Sequence, residues 1–304
     1  MGKRVFVSYC HAQAVWVVDR LVPCLKAGSA EVLIDRERFK AGISLLGQMD
    51  DVQDHASASV LVLSPEYLKS RNCLHEMRRA IARDPGFEKG IVVPIERVRC
   101  SMPGGIARSG PLYVKLTDEK DSAAWKRLLD ACEADLGASA PHWLQARDQV
   151  VRLLKRRQSV NLLVQGKPRW RALVSDVQEN HIPDLAVVDL NSGVTETREG
   201  VVAEILQICG VGGNEPRKRM DLAALQGAFD SKSSIHRLAL LHFDRVLHRR
   251  YGPDFFAALR YLVTEAHKLV LLLESRRPFS DLLDSADPSS AALCQTVELK
   301  GELV

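Results

Sequence analysis

Ala58-Ser59-Val60-Leu61-Val62-Leu63 is an almost unbroken apolar run closed by Ser64-Pro65. A strand of that composition has both faces buried, as strands do in the middle of a parallel sheet. Ser64 supplies a helix cap and Pro65 a first-turn residue, so a helix is expected to follow directly. On either side the same alternation repeats. Residues 4–9 (RVFVSY), 31–35 (EVLID), 91–95 (IVVPI) and 112–116 (LYVKL) read as four further strands. Between them lie helices over 13–27, with Val15, Val18, Leu21, Val22 and Leu25 at helical spacing, and over 44–55. A third helix breaks near Arg71 and runs through 73–83, and a fourth covers 122–136. Pro94 predicts an edge position or a bulge for the fourth strand. Strands alternating with helices imply an α/β fold with a doubly wound parallel sheet, whose sites lie at the carboxyl ends of the strands.

The chain has 304 residues, enough for two domains, with 46% hydrophobic and 26% charged residues, the balance of a folded chain rather than a disordered one. Its net charge is +4, and both halves are near balance, so a nucleic-acid partner is not expected. The runs Lys155-Arg156-Arg157 and Arg217-Lys218-Arg219 are short enough for solvated helix faces. The longest apolar run, 269–273, is far below the roughly 20 residues of a bilayer helix, so no membrane partner is expected. Ser8, Tyr9 and His11 interrupt the first apolar stretch too early for a secretory signal. Phe6 stands where myristoylation of Gly2 would want Ser or Thr. Seven scattered cysteines, with no CxxC pair, fit reduced thiols in a cytoplasmic protein rather than a disulfide frame or a zinc site.

A small-residue stretch at 137–141 (GASAP) marks a joint, giving domains 1–138 and 139–304. Beyond it, 143–157 reads as a basic helix. Strand signals follow at 159–164 (SVNLLV), 185–190 (LAVVDL), 238–243 (LALLHF) and 268–273 (KLVLLL), with a possible fifth at 295–299 (QTVEL). The second half is therefore another α/β domain.

The chemistry-bearing residues of the first domain come as an ordered set: Val5-Phe6-Val7-Ser8-Tyr9 ending a strand, Asp35 ending the next, Gly42 in the following loop, then Ser64-Pro65-Glu66-Tyr67, Ser70, Cys73 and Glu76. This set resembles the Toll/interleukin-1 receptor (TIR) domain family, particularly its bacterial branch, over residues 4–136. The resemblance implies a flavodoxin-like five-stranded parallel sheet and an NAD+ glycohydrolase activated by self-assembly, as in bacterial anti-phage immunity. NAD+ is then a substrate, with no separate cofactor and no metal. Glu76 falls at the catalytic position. Nicotinamide leaves as a neutral group, so a fixed carboxylate can stabilise the oxocarbenium-like ribose left behind, the logic glycosidases use. As a plain helix residue, Glu76 would instead pair with Arg79 or Arg83.

Around that carboxylate the resemblance carries over Tyr9, Cys10, Asp35, Arg38, Phe39, Gly42 and Asn72 as substrate-binding positions. Arg38 offers a bidentate fork for phosphoryl oxygens, with a surface loop arginine an equal account of it, and Phe39 an aromatic face for a base, although an aromatic that anchors the loop on the sheet is the commoner outcome. Two departures stand out. Asn72 occupies a place where active members carry an aromatic, and Cys10 one where a basic residue is common. They favour the alternative of a non-catalytic scaffold that recruits other TIR proteins through the loop 35–47. His75-Glu76-Met77-Arg78-Arg79 begins like HExxH, but an arginine cannot take the second histidine's place on zinc.

The second domain is similar, more faintly, to the P-loop NTPase modules (STAND or AAA-like) that accompany bacterial TIR domains. Residues 159–176 have the strand–loop–helix shape, but the glycines, lysine and hydroxyl of GxxxxGK[ST] would fall on Val164, Arg169, Trp170 and Arg171. Asp244 follows an apolar strand where a magnesium ligand could stand, but a lone acidic residue there is more often a helix cap. A P-loop-like fold that has lost nucleotide hydrolysis and serves sensing or oligomerisation is expected. His236, His242 and His248, six apart, would lie on different faces of a helix and form no metal cluster.

Overall fold

The structure, a computed structural model, describes residues 2–34, 45–109, 113–211, 222–247, 251, 253–282 and 293–301. The chain divides into two compact units, Met1–Leu144 and Gln145–Val304.

In the first unit, strands β1 (Arg4–Tyr9), β2 (Glu31–Leu33), β3 (Ala58–Leu63), β4 (Val92–Glu96) and β5 (Val114–Lys115) form one sheet in the order β2-β1-β3-β4-β5. Every neighbouring pair is parallel. All six residues of β3 are buried, as its unbroken apolar run requires. The helices are α1 (residues 11–27), α2 (Leu45–Asp54), α3 (Arg71–Arg83), α4 (Gly104–Ser109) and α5 (Ser122–Ala131); α6 (Ala140–Lys155) starts in this unit and has most of its residues in the second. Helix α1 widens into a π turn at Val17–Leu21, directly before Pro23, whose ring would otherwise strike the carbonyl four residues back.

Several boundaries differ from expectation for local reasons. No α-helix follows Ser64-Pro65 directly. Ser64 Oγ accepts from the Tyr67 N–H at 3.1 Å and caps a single 3-10 turn, Tyr67–Lys69. Ser70, in extended backbone, then caps α3 by accepting from the Cys73 N–H at 3.3 Å. Helix α5 stops at Ala131, five residues early, and Glu133 turns into the left-handed region at φ +52°. Strand β2 ends at Leu33, and its expected end, Asp35, lies outside the described residues. Pro94 is neither on an edge strand nor at a bulge, because β4 pairs with β3 in unbroken register. The Glu96 carbonyl accepts from Leu116, so Pro94, two residues earlier, faces the same β5 side, and β5 reaches only Ile95 and Glu96. Its missing donor therefore costs no ladder bond.

The second unit holds β6 (Val160–Gln165), β7 (Leu185–Asp189), β8 (His236–Leu241), β9 (Leu269–Ser275) and β10 (Gln295–Lys300), all parallel, in the order β10-β6-β9-β8-β7. The fifth strand signal is real, and β10 pairs with β6 along its whole length. Helices α7 (Trp170–Asp176), α8 (Arg198–Ile208), α9 (Leu222–Asp230), α10 (Pro253–Arg260) and α11 (Phe279–Leu282) complete it. Phe229, Phe243, Phe255 and Leu271 centre its core. Arg147 on α6 is 1% exposed and stays charged because Asp148 and Asp176 hold its guanidinium at 2.8 and 3.1 Å. All seven cysteines are free, and no helix among the described residues is long and apolar enough to cross a membrane.

Candidate active site

The strand order of the first sheet reverses between β1 and β3: one connection leads outward to β2, the other to β4. Ligands of open parallel sheets sit beyond the carboxyl ends of the strands at such a reversal. Ser8, one residue from the end of β1, is the polar interruption of that strand and is 1% exposed. Over the same end lies α3. Starting from the Ser70 cap, its three- and four-residue spacing turns Cys73, Glu76, Met77 and Ala80 onto the buried face. Glu76 points inward because of that phase, and only 6% of it is exposed.

What Glu76 meets is polar. Ser8 Oγ donates to Glu76 Oε2 at 2.5 Å, and the Tyr67 hydroxyl lies 2.7 Å from Ser8 Oγ. Gln53 of α2, fully buried, donates its side-chain N–H to the Glu76 backbone carbonyl at 2.8 Å. Cys73 Sγ donates to the Tyr9 carbonyl at 3.6 Å, tying the first turn of α3 to the end of β1. Burial pushes the Cys73 thiol up to about 11, with the Ser70 bond opposing and the Glu76 charge adding, which makes it an inert thiol rather than a nucleophile. Burial, and secondarily the charge of Glu76, lifts the Tyr67 phenol well above its ordinary range.

The arginines that helical spacing offers Glu76 are engaged by α2. Arg79 forks onto Asp54 at 2.6 and 2.9 Å and reaches Asp50 at 3.0 Å. Arg83 donates to the carbonyls of Gln53 and Ala56 at 2.6 and 2.7 Å. His75 meets Asp50 at 2.9 Å. These contacts pin α2 along α3 and fix the helix that carries Glu76.

Of the substrate-binding positions expected from sequence, Tyr9 and Cys10 lie at the carboxyl end of β1 beside this cluster, Cys10 packing against the apolar group around Tyr67 and Cys73. Asn72 is exposed on the first turn of α3. Asp35, Arg38, Phe39 and Gly42 lie outside the described residues. The partners that sequence reasoning missed are Ser8, Tyr67 and Gln53. Ser8 and Tyr67 stood in the motif without a role, and their signal was a hydroxyl closing an apolar strand and a tyrosine just past another.

In the second domain a separate polar cluster lies at the carboxyl ends of β7, β8 and β9. A guanidinium can only donate, so Arg171, 3.3 Å from His242 Nε2, assigns the imidazole proton to Nδ1, which donates to Asp189 at 2.7 Å. The His242 N–H donates to Glu274 at 2.7 Å, and burial raises the Glu274 carboxyl. His236 and His242 bracket a strand rather than riding on one helix, and His248 lies outside the described residues. Asp244 caps no helix start. It accepts from the N–H groups of Arg276 and Arg277 and anchors the exit of β9. Only residues 166–169 join β6 to α7, and Gly301 packs onto them so closely that a Cβ there would come within 2.7 Å of the Pro168 nitrogen. Among the described residues no group of three or more His, Cys, Asp or Glu could hold a metal ion.

Residues 5–129 match the family model described as TIR domain. Toll-like receptor 6 from Bos taurus and that from Homo sapiens are each 28% identical to this chain over 72 residues, which is 24% of the chain and 9% of the receptor. The match thus spans a small part of those receptors. The TIR domain of the Toll-related receptor TRR-2 from Hydra magnipapillata aligns over 41% of this chain and 94% of its own, at 17% identity and a TM-score of 0.36. Cdc6p from Pyrobaculum aerophilum aligns over 53% of this chain and 45% of its own, at 15% identity and a TM-score of 0.39. The ORC2 protein from Aeropyrum pernix covers 54% and 48%, at 12% identity and a TM-score of 0.38.

Proposed function

We propose that the TIR domain of residues 5–129 is an NAD+ glycohydrolase with Glu76 as its catalytic carboxylate, and that the chain is an effector of bacterial anti-phage defence switched on by self-assembly. The observation that carries this reading is the placement of Glu76: a shielded carboxylate at the carboxyl end of β1, beside the β1/β3 reversal, with one oxygen held by Ser8. Breaking the nicotinamide–ribose bond sends the electron pair to the pyridinium nitrogen, so nicotinamide departs neutral without a proton donor. Positive charge develops on the ribose, and a carboxylate with little water around it stabilises that charge strongly. Water then bonds to the anomeric carbon and releases a proton to solvent, giving ADP-ribose, or a ring nitrogen of the adenine of the same molecule bonds there, giving a cyclic isomer. The second domain serves as a P-loop-like sensing or oligomerising module without nucleotide hydrolysis.

The test is nicotinamide release from NAD+ over a protein concentration series, with Glu76→Gln alongside. The exchange keeps the shape and removes the charge, and release is expected to fall about 10²–10³-fold. Turnover per molecule should rise with concentration if assembly completes the site. Equal release by both forms would sink the reading. Asn72 and Cys10 favour a second one, a docking module that recruits other TIR proteins. It predicts no turnover at any concentration, and loss of partner binding when Gly42 is replaced by a bulky residue.

A further inference from the structure

Three polar groups meet beneath α3 almost sealed from solvent: Ser8 at 1%, Tyr67 at 0% and Glu76 at 6% exposure. With Glu76 ionised, their donors and acceptors admit one arrangement. A carboxylate has no proton to give, so Ser8 donates to Glu76 Oε2. Ser8 has a single proton, now committed, so the 2.7 Å contact with Tyr67 runs from the phenol O–H to Ser8 Oγ. The chain therefore has a direction. Protonating Glu76 at Oε2 would reverse it and take the Ser8 acceptor from the Tyr67 hydroxyl, which sits in an apolar cluster with Leu61, Leu63 and Met77, where a donor without an acceptor is costly. Protonation at the other oxygen would leave Ser8 donating to a neutral, weaker acceptor.

We propose that Tyr67 and Ser8 are positioning residues for the reaction read at Glu76, forming a one-way hydrogen-bond relay that fixes the orientation of the carboxylate and keeps it ionised. This rests on the glycohydrolase reading. Burial, reinforced by the Glu76 charge, holds the Tyr67 phenol well above its ordinary value of 10.0, so the first donor keeps its proton. Among the described residues, the titratable groups near the site include Cys73 on α3 and Cys10 after β1, and, on the α2 side, His75 on Asp50 and Arg79 on Asp50 and Asp54.

Two measurements on the full chain separate this relay from the activity. Carboxyl-carbon NMR titration follows Glu76, identified by the resonance that Glu76→Gln removes, and NAD+ turnover is recorded against pH. Ser8→Ala is expected to raise the titration midpoint by about one unit and Tyr67→Phe by about half a unit. The acid limb of kcat should move in parallel. At neutral pH, kcat should fall about tenfold in Ser8→Ala through lost orientation, with KM unchanged, and Ser8→Thr should restore it. Midpoints unmoved in folded variants overturn the relay, and moved midpoints with unchanged kcat overturn its positioning role. If Ser8→Ala shows no cooperative melt, Tyr67→Phe, which removes one oxygen, decides alone. Full turnover by Glu76→Gln would instead overturn Glu76 as the catalytic carboxylate, leaving the titration to judge the relay.

Discussion

At the scale of single residues, each domain buries a carboxylate that accepts a hydrogen bond. Glu76 receives a hydroxyl proton from Ser8, a bond that favours its charged form. Glu274, 1% exposed, is pushed up chiefly by burial, with the His242 N–H opposing that shift and Asp244 adding to it. A carboxyl raised in the folded state contributes stability that is present below its unfolded value of 4.5 and lost as pH rises through the folded value. Glu274→Gln keeps an oxygen for the His242 N–H and removes that dependence. The melting temperature of the variant should therefore gain on wild type as pH rises from 4.5 through the raised value of the carboxyl. A gap between the two proteins that stays constant across that range would refute the assignment.

At the scale of elements, α3 is set from three directions: Ser70 caps its start, Cys73 ties it to β1, and α2 grips its outer face through Arg79 and Arg83. The end of α1 is equally constrained. A Cβ on Gly28 would approach the Ala134 side chain to 2.6 Å and its backbone carbonyl carbon to 2.7 Å, and the Gly28 carbonyl accepts from Asp135. The backbone of Gly28 has a negative φ, so closeness, not conformational freedom, demands glycine here. Gly28→Ala must push α1 from the segment after α5, and overpacking of this kind costs about 1–3 kcal/mol. Chemical denaturation is expected to show that loss, and an unchanged midpoint would mean the contact relaxes freely.

At the scale of the whole molecule, the two parallel sheets present their carboxyl ends to different chemistry. The second has a short loop where phosphate cradles are long and glycine-rich, and Asp244 is committed to the backbone after β9. Magnesium-ATP at a hundred times its dissociation constant would stabilise a binding protein by about 2.7 kcal/mol. No shift in the melting temperature of the chain is expected with millimolar magnesium-ATP. A reproducible rise would assign nucleotide binding to a loop other than the short one after β6.

Strand alternation and the parallel sheets were legible in sequence, because apolar periodicity is a local property read along one element, whereas the inward phase of Glu76 was not read from it. The partners of Glu76 were not legible either, since Ser8 and Tyr67 lie 68 and 9 residues away from it and meet it only when β1, the turn after β3 and α3 converge. The same holds for Pro94, which looked like an edge signal and sits inside the sheet because its donorless side faces past the short β5. Periodicity reports which way a side chain turns on its own element; what it then touches depends on how distant segments pack, and that was decided by the tertiary structure alone.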